Sequence, residues 1–144
     1  MSHTYATNLV HIVFSTKDRT NTISRDDQPR LVAYLESLAR AEKVTLIAAG
    51  GTANHLHVLV SVPPARTLAD VVQKLKANTS RFMGRSFCWQ QGYGAFSVSP
   101  SHANLVIEYI RHQTEHHAKR NFEDEFVALL RKCGIEFDAS YVFG

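Results

Sequence analysis

The chain is poor in cysteine. Cys88 and Cys133 are the two in 144 residues, far apart and without Cys-x-x-Cys spacing, so neither a disulfide framework nor a cysteine-type zinc site is expected. Both read as structural thiols in a reducing compartment. No apolar run reaches the length of a membrane span, and no charged-then-apolar leader opens the chain. A soluble, cytoplasmic protein with no membrane partner is the expectation. Neither sign of charge is in large excess: 16 Lys and Arg against 13 Asp and Glu leave a formal +3, too little to argue a nucleic-acid partner from net charge. Repeats, low-complexity tracts and linkers are missing as well. With 44% hydrophobic residues, the chain reads as one domain over 1–144, long enough to bury its own core. Nothing in it suggests a Ser-His-Asp or Cys-His nucleophile.

What is present centres on Asn54-His55-Leu56-His57-Val58-Leu59-Val60-Ser61-Val62. With a period of two, Leu56, Val58, Val60 and Val62 share one face and His55, His57, Leu59 and Ser61 the other. Histidines two apart on a strand project from the same side, roughly 7 Å apart at the backbone, close enough for both imidazoles to meet one metal ion. The same pattern also fits two half-exposed sheet histidines with no ligand.

The elements around this strand give a topology. Asn8 to Lys17 alternates Leu9, His11, Val13 and Ser15 against Val10, Ile12 and Phe14, a half-buried strand whose His11 either joins the chemical face or packs beside neighbours. A helix start at Ser24, Asp27 and Pro29 precedes Leu31, Tyr34, Leu35, Leu38 and Ala41 at helical spacing. Val44 to Ala49 reads as a strand, Gly50-Gly51 as a turn, and Pro63-Pro64 ends the histidine strand. Thr67-x-x-Asp70 opens a helix to Gly84, with Leu68, Val71, Val72, Leu75 and Phe82 inward and Lys74, Lys76, Arg81 and Arg85 basic. Phe87 to Ser99 reads as a last strand or bent ribbon, 103–119 as a helix, and 122–133 as a final helix capped by Asn121 with acids in its first turn. The aromatic tail, Ile135 to Phe143, is expected to dock. Strand, helix, strand, strand, helix, strand is the α+β, ferredoxin-like split βαβ order, an antiparallel sheet with helices on one face, plus C-terminal helices. His55 and His57 would then stand in the middle of an open face.

Tyr109 and Gln113, four apart, share one side of the 103–119 helix. A tyrosine there is ordinarily core or rim and a glutamine ordinarily solvated. Beside His55 and His57, Gln113 would complete a nitrogen and oxygen shell suited to Mg²⁺ or Mn²⁺. Tyr109 would then be the nucleophile toward a phosphorus centre activated by the cation.

In these residues the chain resembles the single-tyrosine His-hydrophobic-His transposases of small insertion sequences, together with their relatives associated with repetitive extragenic palindromes. The carriers, in order, are Val13-Phe14-Ser15-Thr16-Lys17, Asn54-His55-Leu56-His57 leading to Pro63-Pro64, and Leu75-Lys76-Ala77-Asn78-Thr79-Ser80. Trp89-Gln90-Gln91-Gly92-Tyr93-Gly94-Ala95-Phe96-Ser97-Val98-Ser99 and Tyr109-Ile110-Arg111-His112-Gln113 with Glu115-His116-His117 complete them. The resemblance implies a metal-dependent enzyme that nicks single-stranded DNA and rejoins it through a 5′-phosphotyrosine on Tyr109, with His55, His57 and Gln113 as metal ligands. It also implies recognition of a DNA hairpin and a homodimer, in which the tyrosine helix of one subunit completes the site of the other. Lys74, Lys76, Arg81 and Arg85 are the candidates for phosphate contacts, and Arg111 is a possible neighbour of the site. Many members have Asp where this chain has Asn54.

Other readings stand beside this one. A domesticated copy would keep the residues and serve the host. A rolling-circle initiator or relaxase shares the paired histidines and tyrosine but commonly places lysine where Gln113 stands. A non-catalytic RNA-binding sheet would use Gly92 to Val98 as a base-stacking signature, although Gln91 replaces its leading basic residue and Ala95 intrudes. His112 and His116, spaced i and i+4, resemble a helical zinc pair but lack the glutamate that follows the first histidine in metalloproteases.

Overall fold

The computed structural model describes residues 3–113 and 121–143. In order they form β1 (Leu9–Ser15), α1 (Asp27–Ala41), β2 (Thr45–Thr52), β3 (His55–Ser61), α2 (Leu68–Met83), β4 (Gly94–Val98), α3 (Ala103–Arg111) and α4 (Phe122–Lys132). The strands make one antiparallel sheet in the order β2-β3-β1-β4. This is the ferredoxin-like arrangement, with β1 and β3 in the centre.

Strand periodicity divides the buried residues into two layers. Val10, Ile12 and Phe14 of β1 and Leu56, Val58 and Val60 of β3 face one way, against Leu31 and Leu35 of α1 and Val71, Val72 and Leu75 of α2. Each fully buried aliphatic side chain contributes about 1.5–3 kcal/mol of gross burial energy. A one-residue slip would exchange the two faces of a strand, so this layer fixes the register that sets Val13 opposite His57 and Ser15 opposite His55. Two of the expected helix starts form as side-chain caps: Thr67 Oγ1 accepts the Asp70 N–H at 3.1 Å and Asn121 Oδ1 the Asp124 N–H at 2.9 Å. At α1 the N-cap is Asp26, which makes no side-chain cap bond, and Ser24 Oγ accepts the Asp27 N–H at 3.1 Å from the turn before it.

The second face of the sheet is covered, not open. α3 sets Ile110 against Ala48 and Leu59, while α4 sets Phe122 and Leu130 against Val13 and Phe96. From the tail, Phe137, Val142 and Phe143 dock on this second layer, and Tyr141 is left 76% exposed. Gly50-Gly51 is likewise no turn. Both residues lie inside β2, and the chain reverses at Ala53-Asn54. Of the 87–99 ribbon, Gly94–Val98 pairs with β1 as β4, and Trp89 makes a single bridge to Thr16. The expected 103–119 helix is seen as α3, and His112 departs from helical geometry at φ −106, ψ 31. Its continuation to Lys119, with Glu115-His116-His117, lies outside the described residues. Among the described residues no helix is long and apolar enough to cross a membrane.

Candidate active site

β3 turns His55 and His57 onto the second face, where both are fully buried. α3 approaches the same region because Gly50 has no side chain: a Cβ there would lie 2.5 Å from the backbone oxygen of Ile110. That close passage carries Tyr109 and Gln113 over the histidines. α4 approaches from the β4 side, where a Cβ on Gly94 would lie 2.7 Å from the Phe126 ring. Phe122 then stacks on the His55 imidazole with ring centroids 4.5 Å apart, and Glu125, one helical turn on, points into the cluster.

The polar atoms converge. His55 Nε2 is 3.0 Å from Gln113 Oε1 and 3.6 Å from Glu125 Oε1, while His57 Nε2 is 3.0 Å from the same Glu125 oxygen. The Tyr109 hydroxyl donates to Glu125 Oε2. Gln113 is held in place by its own amide, which donates to the Tyr109 carbonyl at 3.2 Å. Tyr109 is half-buried, with its ring edge-on to His57 at 5.7 Å.

The outer nitrogens of the histidines are also occupied, and for His55 the partner sets the tautomer. His55 Nδ1 lies 2.9 Å from Asn54 Oδ1 and 3.0 Å from Thr52 Oγ1. A carbonyl oxygen only accepts, so in a neutral ring Nδ1 carries the hydrogen and Nε2 presents its lone pair inward. His57 Nδ1 meets His11 Nε2 at 2.8 Å. His11 itself is held neutral: burial, then the neighbouring His57, lower its pKa to about 3 against the opposing effect of Glu125. With His11 Nε2 as acceptor for His57 Nδ1–H, His57 Nε2 presents its lone pair inward as well; this is the tautomer that a metal ligand needs.

With those tautomers, two imidazole lone pairs and two acceptor oxygens face a common centre. Acceptors repel one another, and a cation reconciles them. Their separations suit one, since bonds of about 2.0–2.2 Å place adjacent donors roughly 3 Å apart. His55, His57 and Glu125 form a buried group that could hold a metal ion, their ligand atoms within 4.8 Å of one another.

Residues 4–113 match the family model described as transposase, IS200 like. The chain belongs to the IS200-like transposase family. Membership implies a DNA-cleaving enzyme. The transposases of insertion element IS200 from Salmonella typhimurium and from Salmonella typhi are each 26% identical to it over 127 residues, covering 80% of this chain and 82% of theirs. Among solved structures, a protein from Deinococcus radiodurans R1 assigned as a transposase superposes with a TM-score of 0.64 at 20% identity, covering 78% of this chain and 95% of its own. A tyrosine transposase associated with REP sequences, solved bound to a REP hairpin, gives a TM-score of 0.64 at 12% identity, covering 81% of this chain and 73% of its own. At these identities the two structures support the fold.

In this IS200-like transposase the matched residues end at Gln113, so α4 and Glu125 fall outside the family match. Sequence reasoning missed Glu125. Three consecutive acids at a helix N-terminus look like complements of the helix dipole, yet Glu125 shares the apolar stripe of Phe122, Phe126, Leu129 and Leu130. A carboxylate at a core position was the available signal. The basic residues of α2 lie on the other side of the sheet. Lys74, Arg81 and Arg85 are exposed. Lys76 instead donates to the carbonyls of Gln90 and Gly92 at 2.7 and 2.8 Å, and burial lowers its pKa. Arg111 is exposed at a cleft of about 360 Å³ that it lines together with Gly50 and Gln113. His112 is exposed, its Nδ1 2.8 Å from the Glu108 carbonyl, and its proposed partner His116 lies outside the described residues.

Proposed function

We propose that this transposase, acting as a single domain over 1–144, cuts and rejoins single-stranded DNA through a covalent bond to Tyr109. The observation that carries this reading is the meeting of Tyr109 and Gln113 from α3 with His55 and His57 from β3 in one buried cluster. His55, His57 and Gln113 are the residues we assign to Mg²⁺ or Mn²⁺, which when bound supplies Lewis-acid charge to the scissile phosphate.

The chain's own residues supply the remaining chemistry. The Tyr109 oxygen attacks phosphorus as its hydroxyl proton is lost; an O–P bond forms to the phenol and the bond from phosphorus to the 3′ oxygen breaks. That oxygen leaves as a 3′-hydroxyl, and the 5′ end stays on Tyr109. Because the new bond is still a phosphodiester, attack by another 3′-hydroxyl reverses the step and releases the tyrosine without a nucleotide cofactor. Tyr109 stands beside the histidines of its own chain. Exchanging two ends requires two tyrosines, so we assign the exchange to a homodimer, in which α3 of one copy could complete the site of the other.

The substrate we assign is single-stranded DNA beside a hairpin. Exposed Lys74, Arg81 and Arg85 supply phosphate contacts away from the cluster, with Lys76 bracing the loop that contains Gln90 and Gly92. The test is incubation of end-labelled single strands from DNA flanking the gene with Mn²⁺ or with chelator, resolved on a denaturing gel. Metal-dependent nicks that vanish in Tyr109→Phe, with hairpin binding intact, are expected. Nicking that persists in Tyr109→Phe contradicts the reading. Hairpin-selective binding with no nick under any metal would favour a domesticated binding protein.

A further inference from the structure

We propose that Glu125 of α4 is a further ligand of the divalent cation, and that its second oxygen positions the Tyr109 hydroxyl. The inference rests on the reading that His55 and His57 hold a cation.

Glu125 is 2% exposed, the one buried carboxylate among the described residues. Burying a carboxylate is costly unless its charge is compensated. Its ion-pair partners among the described residues include His55 and His57. Its two oxygens are used differently. Oε1 lies 3.0 Å from His57 Nε2 and 3.6 Å from His55 Nε2, while Oε2 accepts from the Tyr109 hydroxyl. One carboxylate therefore spans the inward nitrogens and the nucleophile. The inner nitrogens of His55 and His57 and the Glu125 oxygen point at one centre, with ligand atoms within 4.8 Å of one another. A divalent cation there neutralises the carboxylate and satisfies the imidazoles together.

This arrangement places the acid on α4. Asn54, beside the first histidine, is neutral and serves as an acceptor for its outer nitrogen. The negative charge that raises affinity for a hard cation comes instead from Glu125. Docking of α4 through Phe122 and Leu130 thus determines whether the cation site has its full set of donors.

The experiment is a titration of Mn²⁺ into the full chain without DNA, followed by the loss of the free-ion electron paramagnetic resonance signal. Wild type, His55→Ala, Glu125→Gln and Glu125→Asp are compared, with thermal melts showing which variants fold. Wild type should bind one ion and His55→Ala none. Glu125→Gln keeps the shape but removes the charge and should weaken binding by about tenfold or more. Glu125→Asp keeps the charge but withdraws the oxygens by one methylene and should weaken it less. Wild-type or tighter affinity in the folded Glu125 variants, with binding still lost in His55→Ala, would overturn the proposal and leave the cation site standing, Glu125 then being a plug. Absence of binding by wild type would overturn the cation reading and this proposal with it.

Discussion

Asn54 shows how a neutral side chain can orient a candidate metal ligand. Its amide oxygen accepts from His55 Nδ1 at 2.9 Å, and the ring is thereby held with Nε2 inward. An Asp could accept in the same way; an Ala could not. Outer partners of ligating histidines typically govern metal affinity by about 10–100-fold. Asn54→Ala should therefore weaken Mn²⁺ binding within that range, whereas Asn54→Asp should match or exceed wild type. Isothermal titration of both variants checks this, and unchanged affinity in Asn54→Ala would remove the orienting role. At this scale the sequence was informative where periodicity decides direction. His55, His57 and His11 fall on one face because strands alternate, and Tyr109 and Gln113 share a helix face because they are one turn apart. Glu125 was hidden because an acid near a helix start has an ordinary explanation, and only the docking of α4 shows where it points.

Among the elements, the contact of β2 with α3 positions Tyr109, the proposed nucleophile. In the sequence Gly50 looks like part of a turn, since paired glycines usually mark one. Its actual role depends on a neighbour distant in sequence: the Ile110 carbonyl passes too close for a Cβ. Gly50→Ala should push α3 outward and destabilise the fold by roughly 1–3 kcal/mol. Urea unfolding would measure that loss, and Mn²⁺-dependent nicking should fall with it. A variant with wild-type stability would show that α3 yields without cost. α4 offers a milder test. Asn121→Ala removes the side-chain cap over the Asp124 N–H and should cost about 1 kcal/mol, loosening the element that carries Glu125. The coverage of the second face was also difficult to foresee. The split βαβ pattern accounts for two helices and one face, while the apolar stripe of α4 carries no mark saying which surface it will seek.

For the whole molecule, the sheet stands between the buried cluster on one side and α2, with exposed Lys74 and Arg81, on the other; exposed Arg85 follows α2. If Lys74 and Arg85 touch hairpin phosphates, each Ala variant should lower the slope of log affinity against log salt by about one unit while leaving sequence preference unchanged. Lys76 should behave differently. Its ammonium already bonds the Gln90 and Gly92 carbonyls, so Lys76→Ala should lower thermal stability more than it changes the salt slope. Fluorescence anisotropy across a salt series, paired with thermal melts, separates the two effects. The proposed covalent bond to DNA can be caught by trapping the protein on a labelled single strand in Mn²⁺, digesting the adduct and sequencing the modified peptide by mass spectrometry. A nucleotide joined through its 5′ phosphate to Tyr109 is expected, and none when chelator replaces Mn²⁺. A nucleotide on any other residue, or nicked DNA with no protein attached, would contradict the proposal.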